Sequence, residues 1–534
     1  MGIPEINNKI ITPKKHKDII SENKIKSGKW ELSADVIIIG SGAGGSVAAA
    51  ELSKNGWNVV LIEEGSYFTP AQFNGDEFLS NARLYRDAGF VLSEEQTLNI
   101  VQGRTLGGST TVNWQTSLYP PIYVTDEWEK RFGLKDYSKE KMNPYIEEIH
   151  ARLGVHQVPE RLINKNNNVL RRGGEQLGLH PEVLPNNNRG CHGLGRCGLG
   201  CPINAKQSMF LTFIPDALEY GARIITNMRA VKIKDGKVKT VIAEFTPDPY
   251  DSYPDDLIRE MEIKAPVVIL SAGAIEGPAL LQRSGLGNNW VGRNFKVHPT
   301  STIFAHFEEE INMFSGPPQS IVIKDGHNQD NSGYGFWLET APYRPAIATS
   351  LMPFYGKQQF EVMQNYKNLQ AGIVLVRDGA DGETNARIEW KMGKRKVYFE
   401  ITPTDGRNLL RGLKMLAEVQ TAAGAKELIF PFTRMKTPFK VDRKSNFDWI
   451  LKEPITTGSI NIASAHPHGS IQAADSPEKG AVDPNFELYG HKNIFVMDAS
   501  VIPTGLSVNP QITTMSLTLR ASRTLASEKT KRVG

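Results

Sequence analysis

Ala34-Asp-Val-Ile-Ile-Ile-Gly-Ser-Gly-Ala-Gly-Gly45 is the stretch that decides the fold. Val36, Ile37, Ile38 and Ile39 are β-branched, as a strand buried on both faces of a parallel sheet requires. Gly40, Gly42 and Gly45 follow as G-x-G-x-x-G. The first glycine permits a tight turn, the second lets the backbone approach a pyrophosphate, and the third lets a helix pack close to the strand. The spacing predicts a helix over about 44–55, its N-terminal amides and positive dipole end turned toward phosphate. A second apolar run, Val59-Val-Leu-Ile62, then delivers Glu63 to accept hydrogen bonds from a ribose. Strand, glycines, helix, strand and acid in that order predict a Rossmann-like α/β unit that holds a dinucleotide.

At 534 residues the chain exceeds what one core usually supports, so two interleaved domains are expected. Apolar content of 40% and charged content of 22% suit a soluble enzyme. The net charge of +4, from 62 basic and 58 acidic residues, gives no ground for a nucleic-acid partner. No run of about 18 apolar residues occurs, so no membrane-spanning segment is expected. The N-terminus carries Lys9, Lys14, Lys15 and Lys17 without an apolar stretch, which argues against a secretory signal. Met1-Gly2-Ile-Pro-Glu-Ile6 lacks the Ser or Thr expected for myristoylation. The expected location is the cytoplasm, or its membrane face through a partner.

Residues 1–33 read as a polar N-terminal extension. Residues 34–300 plus 455–534 read as a discontinuous nucleotide-binding domain, and 301–454 as a substrate-covering cap built on an antiparallel sheet. Strand-like stretches at 222–226, 231–233 and 265–273 look like returns to the first domain's sheets. Arg387-Ile-Glu-Trp-Lys391 and Lys396-Val-Tyr-Phe-Glu-Ile401 alternate around Met392-Gly-Lys-Arg395, a hairpin pattern. Asp405 is placed to cap a helix with Leu409, Leu410, Leu413 and Leu416 on its apolar side and Gly424 beyond its end. Phe336-Trp337-Leu338 and Leu351-Met-Pro-Phe-Tyr355 suggest an apolar pocket, with core packing the competing explanation.

Further segments complete a pattern. They are Gly103-Arg-Thr-Leu-Gly-Gly-Ser-Thr-Thr-Val-Asn-Trp114, Gly273-Ala-Ile-Glu-Gly-Pro-Ala-Leu-Leu-Gln-Arg-Ser-Gly-Leu-Gly287 and Val291-Gly-Arg-Asn-Phe-Lys-Val-His-Pro299. His466-Pro-His-Gly469, Val496-Met-Asp-Ala-Ser500 and Val508-Asn-Pro-Gln-Ile-Thr513 follow near the end. In this order they resemble the glucose–methanol–choline (GMC) oxidoreductase family, over about 34–525. The Asn113-Trp114 pair is most similar to the long-chain alcohol oxidase branch.

The resemblance implies that the dinucleotide is FAD and the substrate a small-molecule alcohol. It implies that Gly40, Gly42, Gly45 and Glu63 hold the ADP half, and that Gly107, Gly108 and Ser109 line the diphosphate and ring, with Asn113 and Trp114 close by. Val231 would touch the adenine, and Asp498 and Ala499 would lie near the ribityl–pyrophosphate region. His466 matches the family's base and Asn509 the partner of the substrate hydroxyl, with His468 a nearby alternative base. Electrons would pass to oxygen or to an electron-acceptor protein. Two rival readings accompany the resemblance: a cyanohydrin lyase with an idle flavin, and a non-catalytic FAD-binding subunit. The chain departs from the family after Gly469, where it reads Ser470-Ile-Gln-Ala-Ala474, and at Gly277, where Ser or Thr is usual.

Only three cysteines occur, Cys191, Cys197 and Cys201, in C-x5-C-x3-C spacing. Thiolates this close suit iron–sulfur or zinc binding, with His192 a possible fourth zinc ligand. The spacing resembles that of bacterial FAD-glucose dehydrogenases of the same family, which hold a three-iron cluster. A disulfide plus a free thiol, or a loop whose ancestral cluster is gone, are the competing readings.

Overall fold

Val36–Ile39 lies at the centre of a five-stranded parallel sheet in the order Ile494–Val496, Val267–Leu270, Val36–Ile39, Val59–Ile62 and Arg223–Ile225. The computed structural model describes residues 9–13, 30–253, 257, 259–382 and 384–533. All four residues of Val36–Ile39, of Val59–Ile62 and of Val267–Leu270 are buried. That is why these runs carry no polar alternation. The helix after the first strand is Ala43–Lys54, one residue earlier than the spacing predicts. Gln511–Ser527 packs across it from the far end of the chain.

Most of the expected N-terminal extension, 1–8 and 14–29 with Lys14, Lys15 and Lys17, lies outside the described residues. Its end is a structural strand. Trp30–Ser33 pairs in parallel with Glu260–Ala265, in a four-stranded sheet completed by Lys239–Phe245 and Met228–Lys234.

The second large sheet is ten-stranded and mostly antiparallel. Thr300–His306, Leu369–Val376 and Phe336–Thr340 form its middle. It also takes Val91–Leu92, Leu98–Ile100, Pro181–Val183 and Ile462–Ser464. These strands fall outside 301–454, so the boundaries read from the sequence do not separate the two sheets. Two- and three-residue strands carry too little periodicity to announce their partner. Pro403–Ala422 packs on this sheet, with Leu409, Leu410, Leu413 and Leu416 buried. Its cap is Thr402, whose side chain accepts from the Asp405 amide, so Asp405 sits in the first turn and not at the cap.

The hairpin forms as Arg387–Lys391 and Lys394–Tyr398. Its turn is the two residues Met392 and Gly393, with φ of 54° and 73°, not the four-residue loop expected. It stands apart from the cap sheet and packs on the helix Gly273–Ser284. Phe336, Trp337 and Leu338 belong to the cores. Of 351–355 only Leu351 reaches the large cavity, whereas Met352 and Phe354 are core and Tyr355 is 85% exposed. Core packing therefore accounts for most of that apolar pattern. Among the described residues, no helix is long and apolar enough to cross a membrane.

Candidate active site

A cavity of about 420 Å³ runs between the two sheets and gathers most of the residues singled out in the sequence. Gly40, Gly42, Glu63, Gly108, Ser109, Asn113, Trp114, His466, Asp498, Ala499 and Asn509 all line it. Gly45, Gly107 and Val231 do not. Gly45 lies under the wall, where a Cβ would meet the Gly40 carbonyl oxygen at 1.9 Å, so the helix can approach the strand only with glycine there. Val231 sits at a β-bulge just beyond Met228, Arg229 and Ala230, which do line the cavity.

At one end the wall suits a diphosphate. Gly40 has φ of +100°, and the turn it makes presents the start of Ala43–Lys54 to the cavity. A Cβ on Gly42 would meet nothing within 4 Å, so space lies open over that helix N-terminus. The Glu63 carboxylate accepts from the Ser41 amide (2.9 Å), the Ser41 hydroxyl (2.6 Å) and the Gly65 amide (2.8 Å). Ser41 Oγ in turn accepts from the Gly107 amide at 2.9 Å, tying the two glycine-rich loops together. Asp498 accepts from the Gly273 and Ser500 amides, both at 2.8 Å, and so knits two further segments of the wall. Burial raises the pKa of both carboxyl groups.

The sequence reading misses an ionic cluster beside this end. Glu64, Arg86, Arg104, Arg229 and Glu276 line the cavity, and Arg395 approaches from the hairpin. Arg86 pairs with Glu64 at 2.7 Å and Glu276 at 3.4 Å, while Arg229 reaches Glu276 at 3.5 Å and Arg395 also pairs with Glu276. Burial alone would raise the Glu276 pKa, but the three guanidinium groups hold it at about 2. Lys206 is equally silent in the sequence. Fully buried, its Nζ donates to the carbonyls of Thr111 (2.7 Å), Asn113 (3.0 Å) and Cys197 (2.8 Å), pinning the glycine-rich loop to the cysteine loop.

At the other end stand His466 and Asn509, with His466 Nε2 3.2 Å from the Asn509 amide nitrogen. His466 Nδ1 lies 3.3 Å from Nδ1 of His298, a residue the sequence reading quotes but assigns no role. His298 is set by its neighbours: Asp378 accepts from the Val297 and His298 amides, and the Leu506 amide donates to His298 Nε2 at 2.9 Å. That last bond occupies the Nε2 lone pair, so neutral His298 carries its hydrogen on Nδ1, facing His466. In this arrangement His466 accepts on Nδ1 and carries its own hydrogen on Nε2, which requires the Asn509 amide to be turned so that its oxygen, rather than its nitrogen, faces the ring. Burial and the neighbouring His468 push the His466 pKa down to about 3, so the ring is neutral at ordinary pH. His468 does not line the cavity; its Nδ1 faces the His466 carbonyl at 2.7 Å, which removes it as an alternative base.

The departure after Gly469 is well integrated: Ser470 Oγ donates to the Ala274 carbonyl at 2.6 Å, and the Ile471 amide to that of Ser500 at 2.9 Å. At Gly277 a Cβ would touch only side-chain atoms, at 3.5 Å or more, so nothing in the packing demands glycine.

The cysteines do not line the cavity, although Gly195, Gly198 and Leu199 between them do. All three are free thiols. Burial raises the pKa of Cys191, and of Cys197 to about 11, and Gln115 Nε2 donates to Cys197 Sγ at 2.9 Å. Burial favours the protonated thiol over the thiolate a metal requires and outweighs the Gln115 donor, which acts in the opposite sense. Among the described residues, the group whose ligand atoms lie within 4.8 Å of one another is His298, Asp378 and His468, not the cysteines. The expected iron–sulfur cluster thus finds no support. The histidine group is not a metal site either, since both His298 nitrogens are engaged and the Lys296 ammonium is buried close by.

Two sequence models, both of the GMC oxidoreductase family, match residues 35–300 and 381–518. A long-chain-alcohol oxidase of Arabidopsis thaliana is 32% identical over 510 residues, covering 91% of this chain and 66% of the relative. A second one from the same plant is 30% identical over 533 residues, covering 94% and 68%. The chain thus spans about two thirds of these relatives' length. Among solved structures, a formate oxidase variant from Aspergillus oryzae superposes with a TM-score of 0.69 at 16% identity, covering 94% of this chain and all of that one.

Proposed function

Because this chain belongs to the GMC oxidoreductase family, we propose that it is an FAD-dependent enzyme that oxidises the CH–OH group of an alcohol to a carbonyl. The observation that carries this reading is one cavity with a dinucleotide cradle at one end and the His466–Asn509 pair at the other. The open space over Gly42 and the Glu63 carboxylate fit the ADP half of FAD, and Gly108, Ser109 and Asn113 line the same cavity. Bound FAD supplies the acceptor for the hydride that leaves the carbinol carbon. The hydroxyl proton must go elsewhere, and the electrons pass on to oxygen or to an electron-acceptor protein.

An alcohol has a pKa near that of water, roughly 15.7, and a free histidine about 6.5. His466 therefore does not ionise the alcohol beforehand. It takes the proton on Nε2 as the C–H bond breaks, while Asn509 holds the oxygen. Its neutrality leaves it able to do so, and no acid limb from His466 is expected in kcat/KM above about pH 4.

A second reading has its own observation. The bond from Leu506 to His298 favours a hydrogen on His466 Nε2; such a ring donates to the substrate oxygen rather than accepting from it, and the hydroxyl proton then leaves to solvent in the cavity as the hydride departs. For the base role the two histidines must exchange hydrogens and give up that bond. Two substitutions separate the readings. Glutamine at 466 can donate but cannot take up a proton. If His466 is the base, His466→Gln and His466→Ala both slow flavin reduction by about 10²–10⁴-fold. If it is a donor, His466→Gln stays within about tenfold of wild type and only His466→Ala is slow.

A further inference from the structure

The wall of the cavity that continues from Asn509 is polar in a way that oxidation of a carbinol does not use. Asn113 Nδ2 donates to Gln511 Oε1 at 2.7 Å, and Gln511 Nε2 to the Thr116 carbonyl at 2.7 Å. Thr116 Oγ1 donates to Gln319 Oε1 at 2.6 Å, and Gln319 Nε2 to Glu339 Oε2 at 2.6 Å. All five residues line the cavity, and the chain of bonds runs within its wall and ends at Glu339.

Glu339 sits in Phe336–Thr340, a strand buried at every position, and is 0% exposed. Its second oxygen, Oε1, has no hydrogen-bond partner among the described residues. Its nearest cationic influence is Lys324, whose ammonium is already paired with Glu182 at 2.7 Å. A carboxyl group without a cation is costly to bury in its charged form, and burial raises its pKa to about 7. Ionised, Oε1 is an acceptor without a donor; protonated, it is a donor without an acceptor. A ligand hydroxyl, which both donates and accepts, completes either state. An alkyl chain completes neither, and an ammonium completes only the ionised one. Leu351, Ile373 and Leu375 also line the cavity and supply apolar wall, which suits a methylene spacer.

We propose that Glu339 recognises a second hydroxyl on the substrate, so that the enzyme selects diols with an apolar spacer over simple alkanols. The proposal rests on the alcohol-oxidation reading for its first hydroxyl and adds the substrate class. Glu339 is a specificity residue, distinct from the groups that meet the reacting carbon.

The test uses the FAD-loaded enzyme with 1-alkanols, α,ω-diols and ω-amino alcohols of equal chain length. Two quantities are read: kcat/KM, and binding from the ligand-induced change in the flavin spectrum. Wild type is expected to favour the diol at least tenfold. Glu339→Leu is expected to collapse the diol-to-alkanol ratio by tenfold or more, and Glu339→Gln, which keeps hydrogen-bonding capacity and the Gln319 contact, to preserve most of it. A wild-type ratio of one or less overturns the proposal without any variant, as does a ratio that Glu339→Leu leaves unmoved. Preference for the amino alcohol overturns the hydroxyl assignment. If no alcohol reduces the flavin, the alcohol-oxidation reading has failed, and the binding ratio still decides the role of Glu339.

Discussion

Glu276 sits in the helix Gly273–Ser284, and the guanidinium groups of Arg86, Arg229 and Arg395 converge on it. Replacing it by glutamine keeps the shape and removes the charge that pairs with all three. A buried pair broken from one side costs about 3–5 kcal/mol, and Glu276→Gln is expected to lose stability of that order in urea unfolding. A loss under about 1 kcal/mol would show the cluster to be well solvated. The residues legible in the sequence are those whose roles are local. Gly40 and Gly45 act within one turn, and Glu63 follows its own strand. Glu276, Ser41 and Glu339 act through partners tens to hundreds of residues away, such as Gly107 for Ser41, and no spacing reveals them. His298 falls between: its segment was visible, but its contact with His466 spans 168 positions.

Among the elements, the hairpin turn and the Gly103–Trp114 segment yield opposite expectations. Met392 holds φ of 54° beside Gly393 at 73°, a pair of left-handed residues that hairpins usually fill with Asn-Gly. Met392→Asn is expected to raise stability by about 0.5–1 kcal/mol, read as a higher urea midpoint at unchanged slope. No gain would mean that the turn conformation is not strained by methionine. Lys206→Met removes a buried ammonium from three carbonyl acceptors at once. Each charge-assisted bond contributes about 1.5–3 kcal/mol, so a loss of about 3 kcal/mol or more is expected, together with weaker retention of FAD in gel filtration. Unchanged FAD retention would show that the loop holds its shape without the lysine. Strands and helices with strong periodicity were legible, as Val36–Ile39 and Pro403–Ala422 attest. The cap sheet was not, because its outer strands at 91–92, 98–100, 181–183 and 462–464 are short and borrowed from distant segments.

At the scale of the whole molecule, titration of the buried groups sets how stability follows pH. Burial lowers the pKa of His298, His466 and His468 in the folded state, whereas the unfolded chain titrates near 6.5. As pH falls through 6.5 the unfolded state takes up protons that the folded state refuses, and stability drops by up to about 1.4 kcal/mol per pH unit for each histidine. Asp405, raised to about 6, Glu339, raised to about 7, and Glu63 and Asp498, also raised, act in the opposite sense. They bind protons in the folded state above pH 4 and offset the histidines between about pH 4 and 6.5. Below pH 4 the unfolded carboxylates are protonated too and the offset ends. A flat plateau followed by cooperative unfolding below about pH 4 is therefore expected by circular dichroism; a steady decline beginning at pH 6.5 would mean the carboxyl offset is absent. The central claim, that one cavity joins a dinucleotide cradle to a carbinol site, is tested most directly by the visible spectrum of the purified holoprotein without oxygen, before and after addition of an alcohol. The account predicts flavin bands that bleach on adding a diol or alkanol, with no residual broad brown absorbance from a metal cluster. A colourless protein, or a yellow one that no alcohol bleaches, would contradict it, and carbonyl release from a cyanohydrin by the yellow protein would identify a lyase instead.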